Sequence, residues 1–163
     1  MADVMGMHIE TERKFLVEGE AFKREAVEVH RLRQGYIARE NGNTVRVRIA
    51  DGTGILTVKG PGDAGGFSRK EWEIRIPAED AEALFALCRD GRIEKSRYVI
   101  PAGGGRKWEV DVFEGDNEGL VLAEIELGAM DEAFDRPAWL GREVTGDPRY
   151  YNASLVRRPF KSW

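Results

Sequence analysis

The sequence predicts a mainly β (α+β) fold: an eight-stranded antiparallel closed barrel with a charged lumen and helices packed on the outside. Three observations predict it. Apolar residues recur with period two through most of the chain, as they do in strands. Short glycine-containing turns join these segments, which makes neighbouring strands antiparallel. The polar faces carry like charges in pairs, and acid pairs balance base pairs, which suits an enclosed face better than a solvated one.

The first strand is "HIETERKFLV" (8–17), where Glu10, Glu12 and Lys14 alternate with Ile9, Thr11 and Arg13. A short helix is expected within 20–30, then a strand at "RQGYIAR" (33–39). "NTVRVRIAD" (43–51) alternates Val45, Val47 and Ile49 with Arg46 and Arg48, and "DGTG" turns it back into "GILTVKG" (54–60). "FSRKEWEIRIP" (67–77) puts Trp72, Ile74 and Ile76 on one face and Arg69, Glu71, Glu73 and Arg75 on the other. "AEDAEALFALCRD" (78–90) spaces Ala81, Leu84, Phe85 and Cys88 as a helix does. "KSRYVIP", "RKWEVDVFEG" and "LVLAEIELG" return to period two. Further helices are expected around 130–141 and near 148–156. The glycine clusters "GPGDAGG" and "PAGGGR" read as hairpin connections, since neither ends in the Gly-Lys-Ser/Thr of a phosphate-binding loop.

The bulk properties exclude several classes. A chain of 163 residues fits a single domain over 1–163 with a workable core. One cysteine excludes a disulfide framework and a cysteine-cluster metal site and suits a reducing cytoplasm. The net charge of −4 speaks against a nucleic-acid partner. No apolar run is long enough to cross a bilayer, and "MADVMGM" lacks the parts of a signal peptide, so no membrane partner is expected.

For any one strand the simplest reading of its charges is a solvated face. Taken together they segregate: Glu-x-Glu at 10–12, 71–73 and 124–126, Glu-x-Asp at 109–111, and Arg-x-Arg at 46–48. Same-face neighbours sit roughly 6–7 Å apart, where like charges repel unless neutralised. Acid pairs therefore suggest divalent cations. Arginine pairs suggest phosphate, whose oxygens accept the guanidinium fork. Closing the sheet turns this face inward and leaves Val45, Val47, Val58, Trp72, Ile74, Trp108, Val110, Val112, Ile125 and Leu127 outside, to pack under helices.

These motifs resemble a known family over nearly the whole chain. "IETERKFLV" resembles the Glu-x-Glu-x-Lys signature that opens the CYTH family, the triphosphate tunnel metalloenzymes. "VRVRI", "LTVKG", "KEWEIRI", "KSRYVI", "WEVDVF", "LAEIEL" and "DPRYYNASL" follow in the family's order. The resemblance implies a tunnel barrel that binds triphosphates with Mg²⁺ or Mn²⁺. The first motif is most similar to short bacterial inorganic triphosphatases. Adenylate cyclase, thiamine or nucleoside triphosphatase, and a non-catalytic polyphosphate-binding module are the alternatives. The implied partner is a small-molecule triphosphate, taken up by a monomer or homodimer.

On that basis Arg46, Arg48, Lys59, Arg75, Lys95 and Arg97 are expected to bind phosphate, with Lys14 catalytic at the reacting end. Lys14 reads as a general base, the alternative being a phosphate clamp. Glu10, Glu12, Asp111, Glu124 and Glu126 are the expected metal ligands. Glu71, Glu73 and Glu109 are further candidates that either bind metal or orient arginines. Arg69, near a turn, reads as solvated. His8 and His30 lack a catalytic partner pattern, Cys88 fits the buried side of its helix, and Trp72 and Trp108 read as barrel-to-helix packing. Tyr150 and Asn152 either close one tunnel mouth or merely dock the last helix.

Overall fold

A computed structural model describes residues 3–163. Nine strands and three short α-helices follow in the order β1 (Asp3–Val17), α1 (Phe22–Glu25), β2 (Glu28–Glu40), β3 (Asn43–Ala50), β4 (Thr53–Lys59), β5 (Ser68–Ile76), α2 (Ala78–Phe85), β6 (Arg92–Pro101), β7 (Lys107–Phe113), β8 (Val121–Glu126), β9 (Leu140–Glu143) and α3 (Asn152–Leu155). The sheet runs β5-β4-β3-β2-β6-β7-β8-β1-β9, every pairing is antiparallel, and a further β5–β1 pairing closes the first eight strands into the expected barrel. β1 makes the closure. Its first half pairs with β5 and its second half with β8, so Thr11 lies opposite Ser68 while Glu12 lies opposite Glu126. β9 adds a ninth strand, beside the end of β1.

Turn chemistry fixes the registers. Asn41 and Gly42 both have positive φ (50° and 79°), as a two-residue turn of this hand requires, and Glu40 and Asn43 close the β2–β3 hairpin across them. Asp51 and Gly52 make the equivalent turn between β3 and β4.

Two of the three hydrophobic clusters lie outside the barrel wall, while the third, around Ile93, Phe113 and Leu122, shares the inner face of Lys95, Asp111 and Glu124 at one end of the lumen. Phe15, Phe22, Trp108, Val110, Ile125 and Trp139 are buried in one cluster, with edge-to-face ring contacts of 5.7 Å joining Trp108 to both Phe15 and Trp139. α2 lays Ala81 and Phe85 on Val47 and Ile49. The C-terminal segment covers Ile93, Phe113 and Leu122 with Tyr150, Leu155 and Val156.

The helices differ from expectation. The one expected within 20–30 is cut to four residues, because β2 begins at Glu28. No helix forms at 130–141: Pro137 interrupts it, Phe134 and Trp139 face the outer cluster, and β9 begins at Leu140. Residues 148–156 split into a 3₁₀ turn (Pro148–Tyr150) and α3. Trp72, expected under a helix, is 38% exposed, because no helix covers β5 there. No helix among the described residues is long and apolar enough to cross a membrane.

Candidate active site

The closed sheet turns the charged faces into a tunnel of about 560 Å³. Its lining runs from His8, Lys107, Glu109 and Glu126 to Asn41, Phe67, Tyr151 and Arg157. Alternation places the side chains: Glu10, Glu12 and Lys14 come from β1, Arg46 and Arg48 from β3, Lys59 from β4, Glu71 and Glu73 from β5, Lys95 and Arg97 from β6, and Glu124 from β8.

The lining charges pair with one another. Lys14 Nζ is 2.9 Å from Glu124 and donates a longer bond of 3.5 Å to the Tyr150 carbonyl. Lys59 lies 2.7 Å from Glu10 and 2.6 Å from Glu71. Arg69 also reaches Glu10, at 3.3 Å, so it lines the tunnel where solvation was expected. Arg46 and Arg48 share Glu73 at 3.5 and 3.6 Å. These two contacts are too long to satisfy the guanidinia, and the Nε atoms of both arginines are buried without a hydrogen-bond partner.

Asp111 sits at the base of the arrangement, 1% exposed. Arg97 grips it through two hydrogen bonds of 2.7 Å, and Lys95 donates a third of 2.6 Å. Both oxygens are thus engaged by cations. Asp111, expected as a metal ligand, is thereby placed to orient two basic side chains. Asn152 accepts a second bond from Lys95 at 3.0 Å, which ties α3 to the tunnel.

Protonation follows these neighbourhoods. Burial opposes the charge of Lys14, but the Glu124 and Glu12 carboxylates outweigh it and hold its pKa above the usual lysine range. Lys95 goes the other way: burial, with Arg97 close by, outweighs Asp111 and lowers it to about 8. The two lysines differ because Lys14 faces two carboxylates, while Lys95 shares its one carboxylate partner with a guanidinium. The Glu124 and Glu12 carboxylates favour the charged form of Lys14, the form in which it would clamp phosphate. Burial and the nearby Arg46 and Arg97 lower Arg48 to about 10.

Among the described residues, three lining carboxylates have no cationic partner within 4 Å: Glu40, exposed at the β2–β3 mouth, and the deeper Glu12 and Glu126. Glu12 and Glu126 face each other across β1 and β8. Burial and Glu124 push the Glu12 carboxyl up to about 7. Burial and Glu10 push Glu126 up as well. No three carboxylate or imidazole groups among the described residues converge into a ready-made metal cluster. The donors still fit a hard divalent cation. They are oxygens only, they are held close against their mutual repulsion, and such a cation completes its shell with waters and phosphate oxygens.

Arg75 is a correction. It shares the parity of Glu71 and Glu73, yet it is exposed near the end of β5 and does not line the tunnel. Sequence reasoning also passed over residues that do line it. Tyr36 sits beside Gln34 on β2, Tyr151 lies under Lys14 with its ring centroid 5.6 Å from Nζ, and Arg39 faces the lumen; the buried Thr57, behind the lining, accepts a hydrogen bond from Arg46 at 3.1 Å. The signals for Thr57 and Tyr36 were their places in step with Lys59 on β4 and Gln34 on β2; Arg39 follows from a bulge and Tyr151 from a non-helical segment, which period two does not reveal. His8 stands 3.7 Å from Glu71 and is exposed. His30 lies outside the tunnel between Glu28 and Asp51.

Comparison with known proteins gives four concordant findings. The CYTH domain model matches residues 8–160. The chain is 50% identical to an inorganic triphosphatase of Acetivibrio thermocellus over 155 residues, 94% of this chain and 97% of that protein. It is 38% identical over 150 residues to an inorganic triphosphatase of Nitrosomonas europaea, covering 90% of this chain and 96% of that one. Among solved structures, the inorganic triphosphatase NE1496 superposes with a TM-score of 0.62 at 34% identity, over 91% of this chain and 94% of that chain.

Proposed function

Since the chain belongs to the CYTH domain family, we propose that it is a metal-dependent triphosphatase whose preferred substrate is inorganic tripolyphosphate, cleaved to pyrophosphate and phosphate. The observation that carries this reading is the pairing inside one tunnel of under-satisfied guanidinia, Arg46 and Arg48, with unpartnered carboxylates, Glu12 and Glu126. A polyanion and a divalent cation together satisfy both sets; either alone leaves one set unmet.

In this reading Arg46, Arg48, Lys59, Lys95 and Arg97 hold the phosphate chain, and Lys14 neutralises the phosphate at the reacting end. Glu12 and Glu126 hold the metal, with Glu10 and Glu124 next to them. Mg²⁺ or Mn²⁺ suits this oxygen-only set. Bound there, the cation supplies charge neutralisation at the phosphoryl group. Asp111 fixes Arg97 and Lys95; Glu71 orients Lys59, Glu73 orients the two β3 arginines, and Glu109 orients Arg97. Phosphoryl transfer needs little covalent help from a protein, so positioned charge of this kind accounts for most of the catalysis. All these groups lie on one chain, so monomer and homodimer serve equally. The free Cys88 suits a reducing compartment such as the cytoplasm.

The test is a phosphate-release screen over tripolyphosphate, pyrophosphate, ATP and thiamine triphosphate with Mg²⁺ or Mn²⁺. Tripolyphosphate should have the highest kcat/KM. A higher value for ATP, cyclic AMP as the main product, or tight binding with no release would overturn the reading.

A further inference from the structure

We propose that Arg39 forms an outer phosphate subsite at the β2–β3 end of the tunnel, and that this subsite selects triphosphate chains over pyrophosphate. The inference rests on the triphosphatase reading above and assigns a residue that strict alternation hides.

Along β2, Gln34 and Tyr36 face the lumen, so period two would put Ala38 inside and Arg39 outside. The register breaks first. Tyr36 pairs with Arg46 but Ala38 pairs with Val45, leaving Ile37 as the extra residue of a bulge. Beyond it the faces exchange. Arg39 now stands opposite Thr44, and Thr44 opposite Lys59, in one row across three strands. The Asn41–Gly42 turn two residues later locks this register. The bulge thus re-aims a guanidinium into the tunnel, and Arg39 lines it.

Its electrostatic position differs from that of its neighbours. Every other cation lining the tunnel has a carboxylate within 4 Å. Arg39 has none among the described residues, and its Nη1 is buried without a hydrogen-bond partner. A buried guanidinium N–H left unpaired is costly, and nothing on the protein offsets it. An anion from outside does, and the planar fork favours phosphate. The Thr44 hydroxyl lies between Arg39 and Lys59 in the row, and Arg46 follows Thr44 on the same face, roughly 7 Å along the strand. A phosphate at Arg39 therefore continues the track that begins at Arg46. A chain of three phosphates reaches it from the inner cations; pyrophosphate bound at those cations stops short.

The experiment compares wild type with Arg39→Gln and Arg39→Lys. It measures kcat and KM for tripolyphosphate, the inhibition constant of pyrophosphate, and thermal melts. A charged hydrogen bond at a half-buried position corresponds to about tenfold in affinity. Arg39→Gln should raise KM for tripolyphosphate about tenfold and move kcat much less, with pyrophosphate inhibition and the melting temperature unchanged. Arg39→Lys should fall between. An unchanged KM, or equal weakening toward both anions, overturns the proposal; the second result indicates a hairpin scaffold instead. If wild type releases no phosphate from tripolyphosphate, the parent reading fails separately. Calorimetric binding of tripolyphosphate and pyrophosphate to wild type and Arg39→Gln then decides the subsite by the same criterion.

Discussion

Replacing Asp111 by Asn tests whether that carboxylate organises cations or binds metal. In the structure it is fully buried and takes three charge-assisted hydrogen bonds, two from Arg97 and one from Lys95. Asn keeps the shape but removes the charge, so two buried cations lose their shared counter-ion. Removing one partner of a buried ion pair costs about 3–5 kcal/mol, since an uncompensated charge stays behind. A domain of this size loses about 2–4 °C per kcal/mol, so the melting temperature should fall by about 10 °C. Urea denaturation of the metal-free protein measures the loss. The carboxyl of Asp111 is held below its usual range, chiefly by Arg97 and Lys95 against the effect of burial. Its contribution is therefore present above the unfolded pKa of about 4 and is lost as pH falls through the folded value, so the gap between wild type and variant should close in acid. Tripolyphosphate should also narrow the gap, because the anion takes over the freed cations. A loss below about 1 kcal/mol, or normal stability with weakened metal affinity, would refute the argument and return Asp111 to the metal ligands.

The tunnel carries further predictions. Arg46→Ala or Arg48→Ala should weaken tripolyphosphate binding by about 2–4 kcal/mol by calorimetry while the fold survives; unchanged affinity in both would remove β3 from the site. Lys14→Arg should keep substantial activity and the wild-type alkaline limb, because Lys14 holds its proton, whereas KM should rise above pH 8 in wild type as Lys95 deprotonates and Lys95→Arg should abolish that rise. Chelator should abolish turnover. Glu12, with its folded pKa raised to about 7, makes metal-free stability fall as pH climbs from the unfolded value of about 4.5 through 7, so melts across that range should slope downward and Glu12→Gln should flatten them.

The fold was legible because its dominant signal is local. Alternation from Val45 to Ile49 or from Trp108 to Val112 specifies both a strand and its two faces, and segregated charge tells which face closes inward. What escaped was set by register and tertiary context. Arg39 reaches the tunnel through a one-residue bulge whose only trace in the sequence is a broken alternation. Arg75 has the right parity but lies too near the end of β5. Arg69 was set aside for its turn, yet pairing of β5 with β1 brings it onto Glu10. β9 and α3 are four residues each, below what periodicity resolves, and their placement depends on packing by Trp139, Tyr150 and Leu155. Pairing of Asp111 with Arg97 and Lys95 needs distances; sequence shows only that an acid lies on the inward face.

The internal ion pairs give the tunnel a resting state. At an effective dielectric of about 20, two unit charges 4 Å apart interact by about 4 kcal/mol, so a lumen of one sign would strain the barrel severely. Lys14 with Glu124, and Lys59 with Glu10 and Glu71, avoid this by lending each cation an internal counter-ion. Those pairs compete with substrate, however, and each one exchanged reduces the gain from binding. The contacts that remain unmet, at Arg39 Nη1, Arg46 Nε, Arg48 Nε, Glu12 and Glu126, are those whose satisfaction by ligand displaces nothing. Affinity should therefore concentrate on the unmet groups, while the paired ones fix geometry. Because the unmet cationic and anionic groups lie in one tunnel, binding of polyphosphate and of divalent metal should be mutually reinforcing. Calorimetry can test this: the tripolyphosphate dissociation constant should drop when Mg²⁺ is present, beyond what complexation in solution explains, and Glu12→Gln with Glu126→Gln should abolish that coupling while metal-free affinity is kept. Coupling that persists in the double variant would mean the metal rides on the phosphate alone and owes nothing to these carboxylates.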